Sequence, residues 1–202
     1  MTVPRAGDGW SDRGSAGDRW TGDELAGDGR TGAELAGLRD RLPEELVALH
    51  GQLRALGATV AVAESLTGGL ITAALTQTPG ASATVRGGLV VYATDLKASL
   101  AGVPAGLLAR CGAVHPRVAR ELARGARQRL SASCGLGVTG VAGPDPQDGQ
   151  PVGTVFVAVC GPGGETVQRW ALTGGREEIR AAAVAAAVAL LRAECARVIA
   201  AG

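Results

Sequence analysis

Aromatic residues are scarce in this chain: 3 Trp, 1 Tyr and 1 Phe among 202 residues. A surface that stacks nucleobases needs several, so binding of single-stranded nucleic acid is not expected. An excess of charge is missing too. The 20 Lys and Arg against 19 Asp and Glu leave a net charge of +1, without the basic face that a DNA-binding protein presents. No apolar run approaches the ~20 residues of a membrane-spanning helix. No charged-then-apolar leader opens the sequence, so the cytoplasm is the expected compartment, with no membrane partner. His50 and His115 are the only histidines, which excludes a three-His metal site and leaves few candidates for a His-dependent triad. The four cysteines, Cys111, Cys134, Cys160 and Cys195, form no CxxC pair. Free, mostly buried thiols are expected rather than zinc or disulfides.

What the chain has in abundance is glycine, 32 residues, about twice average usage. Nine of the 32 fall in the first 40 residues. Ala6-Gly7-Asp8, Ala16-Gly17-Asp18, Ala26-Gly27-Asp28 and Ala36-Gly37 recur every ten residues. Four short copies with little apolar matter do not stack into a solenoid, so residues 1–40 read as a disordered repeat tail. Trp10 and Trp20 stand one repeat apart within it. The tail holds 5 of the 20 basic and 8 of the 19 acidic residues, leaving 15 and 11 in residues 41–202. This folded part is mildly positive, suited to an anionic small molecule and weak for DNA.

From residue 42 the apolar pattern alternates between two periods. Pro43-Glu44-Glu45 starts a helix carrying Leu46, Leu49, Leu53 and Leu56 until Gly57 stops it. Thr59–Ala63 reads as a buried strand, and a helix follows Gly68-Gly69 to about Gln77. Leu89–Tyr92 is a second strand, with helices expected near 95–101, 104–110 and 117–131. Leu136–Thr139 is a third strand. Val152–Cys160, apolar on both faces, is a central fourth, and Thr166–Leu172 forms a hairpin with it. An Ala-rich helix over 176–199 closes the chain. Strands interleaved with helices imply an α/β fold, a three-layer α/β/α sandwich with a mixed central sheet.

Three segments carry candidate chemistry. In Ala63-Glu64-Ser65-Leu66-Thr67-Gly68-Gly69 a strand ends, a serine follows and a small-residue turn opens a helix. Open α/β sheets bind ligands at this end of a strand. The amides of Thr67, Gly68 and Gly69 then suit a phosphate or an oxyanion. The alternative is that Ser65 is only a helix cap and the glycines only a tight turn. The second clue is economy: 19 of the 20 basic residues are Arg, and Lys97 is the single Lys, five residues after the single Tyr, Tyr92. Lys can lose its proton when desolvated whereas Arg stays charged, so a lone Lys near a Ser suits a general base. Drift in composition is the competing account. The third is Thr139-Gly140-Val141-Ala142-Gly143-Pro144-Asp145, where small residues let backbone approach a phosphate or ribose; a plain loop fits equally. It lacks the spacing of a phosphate-binding Walker loop.

Several short motifs together resemble one family. AESLTGG at 63–69, PGAS at 79–82, RGG at 86–88, Tyr92 and Lys97 at Tyr-x4-Lys spacing, CGAV at 111–114, TGVAGP at 139–144 and PVGTV at 151–155 resemble the C-terminal domain of the competence/damage-inducible CinA family. The resemblance covers about residues 42–200. It implies an α/β sandwich that hydrolyses the carboxamide of nicotinamide mononucleotide to nicotinate mononucleotide and ammonia, with no metal or organic cofactor. The resemblance implies that the family's Ser-Tyr-Lys catalytic set falls on Ser65, Tyr92 and Lys97. Substrate and oxyanion contacts are then expected at Thr67, Gly68, Gly69, Ser82, Arg86, Thr139, Gly140, Ala142 and Gly143. Many relatives carry a further N-terminal pyrophosphatase-like domain, which residues 1–40 do not resemble. Thr94 replaces a common Asn or Asp, and His115 replaces a common Ser. His115 is expected to be structural or solvent-facing rather than part of the pocket. A non-catalytic nucleotide-binding or regulatory module is the alternative function. The apolar Ala-rich terminal helix makes a homodimer the expected assembly.

Overall fold

The computed structural model describes Gly37 and residues 39–201. The repeat tail expected over 1–40 therefore lies outside the described residues, apart from Gly37, Arg39 and Asp40, whose backbone is helical. The element order is α1 (Leu42–Ala55), β1 (Val60–Glu64), α2 (Leu70–Gln77), a 3-10 turn (Ala81–Ala83), β2 (Val85–Val90), α3 (Thr94–Ser99), α4 (Ala105–Cys111), α5 (Pro116–Arg129), β3 (Cys134–Gly140), β4 (Thr154–Gly161), β5 (Gly164–Ala171) and α6 (Arg176–Ala201).

The five strands form one mixed sheet in the order β2-β1-β3-β4-β5. β1 runs parallel to both β2 and β3, and the β3-β4 and β4-β5 pairs are antiparallel. One apolar layer joins α1, α2 and α6 to the sheet through Leu49, Leu53, Ile71, Val62, Val157 and Leu191. The opposite layer joins Ala61 and Ala63 of β1 to α4 and α5. This is the expected three-layer sandwich. The crossover from β1 to β2 lies on one face and that from β2 to β3 on the other, as same-handed crossovers in opposite directions require. The carboxyl end of β1 is thus a topological switch point, where such sheets open a crevice.

β2 begins four residues before the expected strand. Between Val60 and Ala61 of β1 the register slips, so that Val60 pairs with Val85 but Ala61 with Gly87. Arg86 is the extra residue of a bulge, and Gly87 takes the φ of +143° that closes it. A Gly-Gly pair reads from sequence as a break, and only the pairing with β1 makes it strand. The Ala-rich α6 also departs from expectation in what it covers. Ala183, Ala186, Ala187 and Leu191 are buried in this chain's own core, so its apolar stretch has an intramolecular partner. All four cysteines are free thiols, Cys134, Cys160 and Cys195 buried and Cys111 partly so. No described helix is long and apolar enough to cross a membrane.

β3 explains how α5 comes so close to the sheet. In Cys134-Gly135-Leu136-Gly137-Val138, Leu136 and Val138 feed one apolar layer while the glycines alternate onto the other face. A Cβ at Gly135 would lie 1.9 Å from the Ala123 carbonyl oxygen, and one at Gly137 2.2 Å from that of Ala119. The helix backbone occupies the volume that side chains normally fill. Gly137→Ala is therefore expected to destabilise by about 2–3 kcal/mol, because backbone must move. Gly51→Ala, at a helical position with open space around it, should instead stabilise by about 0.5–1 kcal/mol. Denaturant midpoints of the two variants check both signs.

Candidate active site

The residue that ends β1 is an acid in an otherwise apolar strand. Glu64 is fully buried, and its carboxylate accepts from the amides of Gly69 (3.0 Å), Ile71 (3.0 Å) and Thr72 (2.8 Å) and from the Thr72 hydroxyl (2.6 Å). The first turn of α2, whose amides would otherwise lack partners, is capped from a neighbouring strand rather than by its own preceding residue. This folds residues 65–69 into a tight loop, closed by the Gly68 amide on the Ser65 carbonyl at 3.1 Å. Ser65 remains in line with the sheet, donating its amide to the Val138 carbonyl at 3.1 Å. Its side chain is buried against the floor of a cleft of about 250 Å³ that opens at the carboxyl ends of the parallel strands.

Tyr92 and Lys97 reach the same cleft from the segment after β2. They are opposites in exposure, Tyr92 at 59% and Lys97 at 1%. The Lys97 Nζ donates to the carbonyls of Val91 at 2.9 Å and Tyr92 at 3.1 Å. Burial dominates its titration and lowers its pKa from 10.5 to about 8, against the weaker opposing charges of Asp148 and Asp95.

The facing wall comes from two loops and a helix. Thr139, Gly140, Val141, Ala142 and Gly143 line it beyond β3. The Thr139 hydroxyl donates to the Ala113 carbonyl at 2.7 Å, tying this loop to the segment between α4 and α5. Across the top, Arg176 at the start of α6 donates to the Gly143 carbonyl (2.6 Å) and to the Tyr92 hydroxyl (2.9 Å). Arg180, one turn on, donates to the carbonyls of Leu66 (3.0 Å) and Thr67 (2.9 Å). Helix α6 thus clamps both loops that flank Ser65.

The fold brings Ser65, Tyr92, Lys97, Thr139, Gly140, Ala142 and Gly143 together, and Thr94 sits on the same rim. Thr67, Gly68 and Gly69 do not line the cleft. The amides of Gly68 and Gly69 are engaged by the Ser65 carbonyl and Glu64, which corrects the expectation that they face a ligand. Ser82 and Arg86 are also elsewhere. Ser82 is exposed in the 3-10 turn and Arg86 Nε donates to the Leu130 carbonyl, both at the amino end of β2 and away from the cleft of this chain. His115 is structural, as expected. Its Nδ1 accepts the Arg117 amide at 3.2 Å and caps α5, the role a serine fills equally well. Glu64 was legible as an acid ending an apolar strand just before a helix, but sequence reasoning passed over its capping role. Arg176 and Asp148 carried no local signal, being 84 and 51 residues from Tyr92 and Lys97 in sequence.

Fold and site together define an α/β sandwich with a serine and a buried lysine in a cleft at the switch point of its sheet. Residues 44–195 match the family model described as the CinA C-terminal domain. A CinA-like protein of Frankia casuarinae is 52% identical over 142 residues, 70% of this chain and 33% of that protein. One from Anaeromyxobacter is 49% identical over 157 residues, 76% of this chain and 37% of that protein. Among solved structures, the competence/damage inducible protein CihA from Agrobacterium tumefaciens superposes with a TM-score of 0.73 at 37% identity, covering 76% of this chain and 94% of that one. A CinA superfamily protein from Klebsiella pneumoniae gives 0.74 at 32%, covering 77% and 98%. The chain belongs to the CinA C-terminal domain family. It spans about a third of the length of the curated relatives it matches.

Two consequences follow from the caps. Glu64→Gln exchanges a charged acceptor for an amide whose NH2 faces donors, and should cost about 2 kcal/mol in chemical denaturation. His115 titrates below its ordinary 6.5, chiefly because of burial and then the Arg117 charge. The unfolded chain therefore binds this proton more readily, and the cap's contribution is lost as pH falls below 6.5. His115→Ser should keep the cap and lessen the loss of stability between pH 6.5 and 5, read as melting temperature against pH. A steeper loss than wild type would contradict the capping role.

Proposed function

We propose that this chain is an amidohydrolase that converts nicotinamide mononucleotide to nicotinate mononucleotide and ammonia, with Ser65 as nucleophile and Lys97 as base. The observation that carries the reading is the chain's single lysine, almost wholly buried, sharing a cleft with Ser65. Family membership and the resemblance of the Ser-Tyr-Lys motifs support the choice of substrate. With a pKa of about 8, about a tenth of Lys97 is free base at pH 7, against about 0.03% for a lysine titrating at 10.5. An amine that donates two hydrogens to the Val91 and Tyr92 carbonyls keeps its lone pair for a third partner.

In this mechanism Ser65 Oγ attacks the carboxamide carbon as its proton passes to Lys97 Nζ. The oxyanion takes a hydrogen bond from the amide of Leu66, the cleft-lining residue next to the nucleophile, since those of Gly68 and Gly69 are engaged. The C–N bond breaks as Lys97 returns its proton to the departing ammonia. Water, deprotonated by Lys97, then cleaves the acyl ester and restores Ser65. No metal or organic cofactor takes part in these steps. The Tyr92 hydroxyl, held by Arg176 at the rim, contacts substrate rather than the reacting carbon. A small-molecule nucleotide substrate in the cytoplasm completes the proposal.

Ammonia release from nicotinamide mononucleotide tests it. Ser65→Ala should lose about a thousandfold or more in kcat, and Lys97→Arg, which keeps the charge, should be nearly inactive. Turnover should rise with pH and reach half its plateau near pH 8, as the lysine loses its proton. Near-normal turnover by either variant would sink the mechanism. Binding of the mononucleotide by well-folded wild type without ammonia would point to a binding module instead.

A further inference from the structure

Asp148 lies outside every motif of the family resemblance, in the exposed loop between β3 and β4. Its Oδ2 accepts from the amides of Ala113 at 2.6 Å and Val114 at 3.0 Å, two residues that line the cleft wall. The loop is built to deliver this carboxylate. Gln147 and Gln150 exchange backbone hydrogen bonds at 3.1 and 2.8 Å, closing a tight turn around it. Asp148 itself takes the left-handed φ of +52°, a conformation that Asp adopts more readily than most other non-glycine residues. On the other side, Gly112 makes room: a Cβ there would lie 2.3 Å from the Asp148 carboxyl carbon. The same Ala113 accepts the Thr139 hydroxyl through its carbonyl. One peptide segment is therefore held at its carbonyl by β3 and at its amides by the loop that follows β3.

Resting on the reading of Lys97 as the base, we propose that Asp148 is a positioning residue that braces the 112–114 wall and presents its negative charge to the Lys97 amine. The Ala113–Val114 wall that Asp148 braces lines the same cleft as Lys97, and the charges of Asp148 and of Asp95, on the lysine's own helix, both oppose the effect of burial on the amine. Asp145, Tyr92 and Arg176 line the same cleft. Asp148 keeps the lysine from becoming so weak a base that it no longer draws the serine proton, while burial keeps it from being permanently charged.

Because Lys97 is the only lysine, the full chain labelled with 13C-lysine gives a single Cε resonance whose shift titrates with the amine. Asp148→Asn keeps an oxygen acceptor for the two amides and removes the charge. The titration midpoint, near pH 8 in wild type, is expected to fall by about half a pH unit, a modest shift because the loop is exposed and water screens the charge. Asp148→Ser, a shorter uncharged acceptor, should lower it similarly and serves if the Asn variant does not fold. Asp95→Asn should lower it less. The acid limb of ammonia release should move with the midpoint. A folded Asp148→Asn or Asp148→Ser chain with an unmoved midpoint overturns the inference. The resonance needs no turnover. A chain that shows the shift yet releases no ammonia overturns the deamidase reading and leaves the placement of Asp148 standing. One that releases ammonia with an unmoved lysine overturns the Asp148 inference alone.

Discussion

Four hydrogen bonds converge on the carboxylate of Glu64, at the end of the strand that lies between β2 and β3. A fully buried acid is tolerated only when its oxygens are satisfied, and here the first turn of α2 satisfies them. The pairing works in both directions, because a helix start buried against a sheet has amides in need of acceptors. One contact therefore fixes the direction in which the chain leaves β1, the shape of loop 65–69 and the position of Ser65 at the floor of the cleft. Arg180 holds the same loop from α6. The nucleophile candidate is thus positioned from three elements, with its own backbone held by the Val138 carbonyl and the Gly68 amide.

Lys97 poses the opposite problem. Its amine is taken from water with only two neutral carbonyls as close acceptors, an arrangement that weakens the charged form instead of stabilising it. His50 meets burial differently. Its ring bridges the Leu75 carbonyl at 2.9 Å and the Thr84 hydroxyl at 2.6 Å, and burial keeps it neutral, a structural link among α1, α2 and the 3-10 turn. Two buried titratable groups in one small fold are thereby distinguished by what surrounds them. The histidine is fully partnered within the core, whereas the lysine opens on a cleft. That difference, together with membership of the CinA C-terminal domain family, gives the catalytic reading its weight over a purely structural one.

Much of the fold was legible in the residues. The 3.6 period of Leu46, Leu49 and Leu53, the apolar run of β4 and the Gly-Pro breaks located α1–α6 and the strands to within a few residues, β2 aside, but not the 3-10 turn or the helical backbone at Gly37, Arg39 and Asp40. The scarcity of Lys and Tyr singled out two of the cleft residues before any geometry was known. Legibility failed where a residue's role depends on something distant in sequence. The amides of Gly68 and Gly69 looked free because the acid that engages them stands at the end of the preceding strand. Ser82 and Arg86 were expected at the site only through the family resemblance, and a parallel strand carries them to the opposite end of the sheet from the cleft of this chain.

The sequence by itself determined the elements, the layered α/β class and the candidacy of Ser65, Tyr92 and Lys97, because periodicity, turn chemistry and residue economy act over neighbouring residues. Tertiary structure alone decided which polar groups are engaged and which face the cleft. It decided that α5 can lie directly on the glycines of β3, that α6 reaches back to Tyr92 and Gly143 through Arg176, and that Asp148 meets Ala113 from 35 residues away. Those outcomes depend on strand order and register, which bring together groups that no local pattern relates.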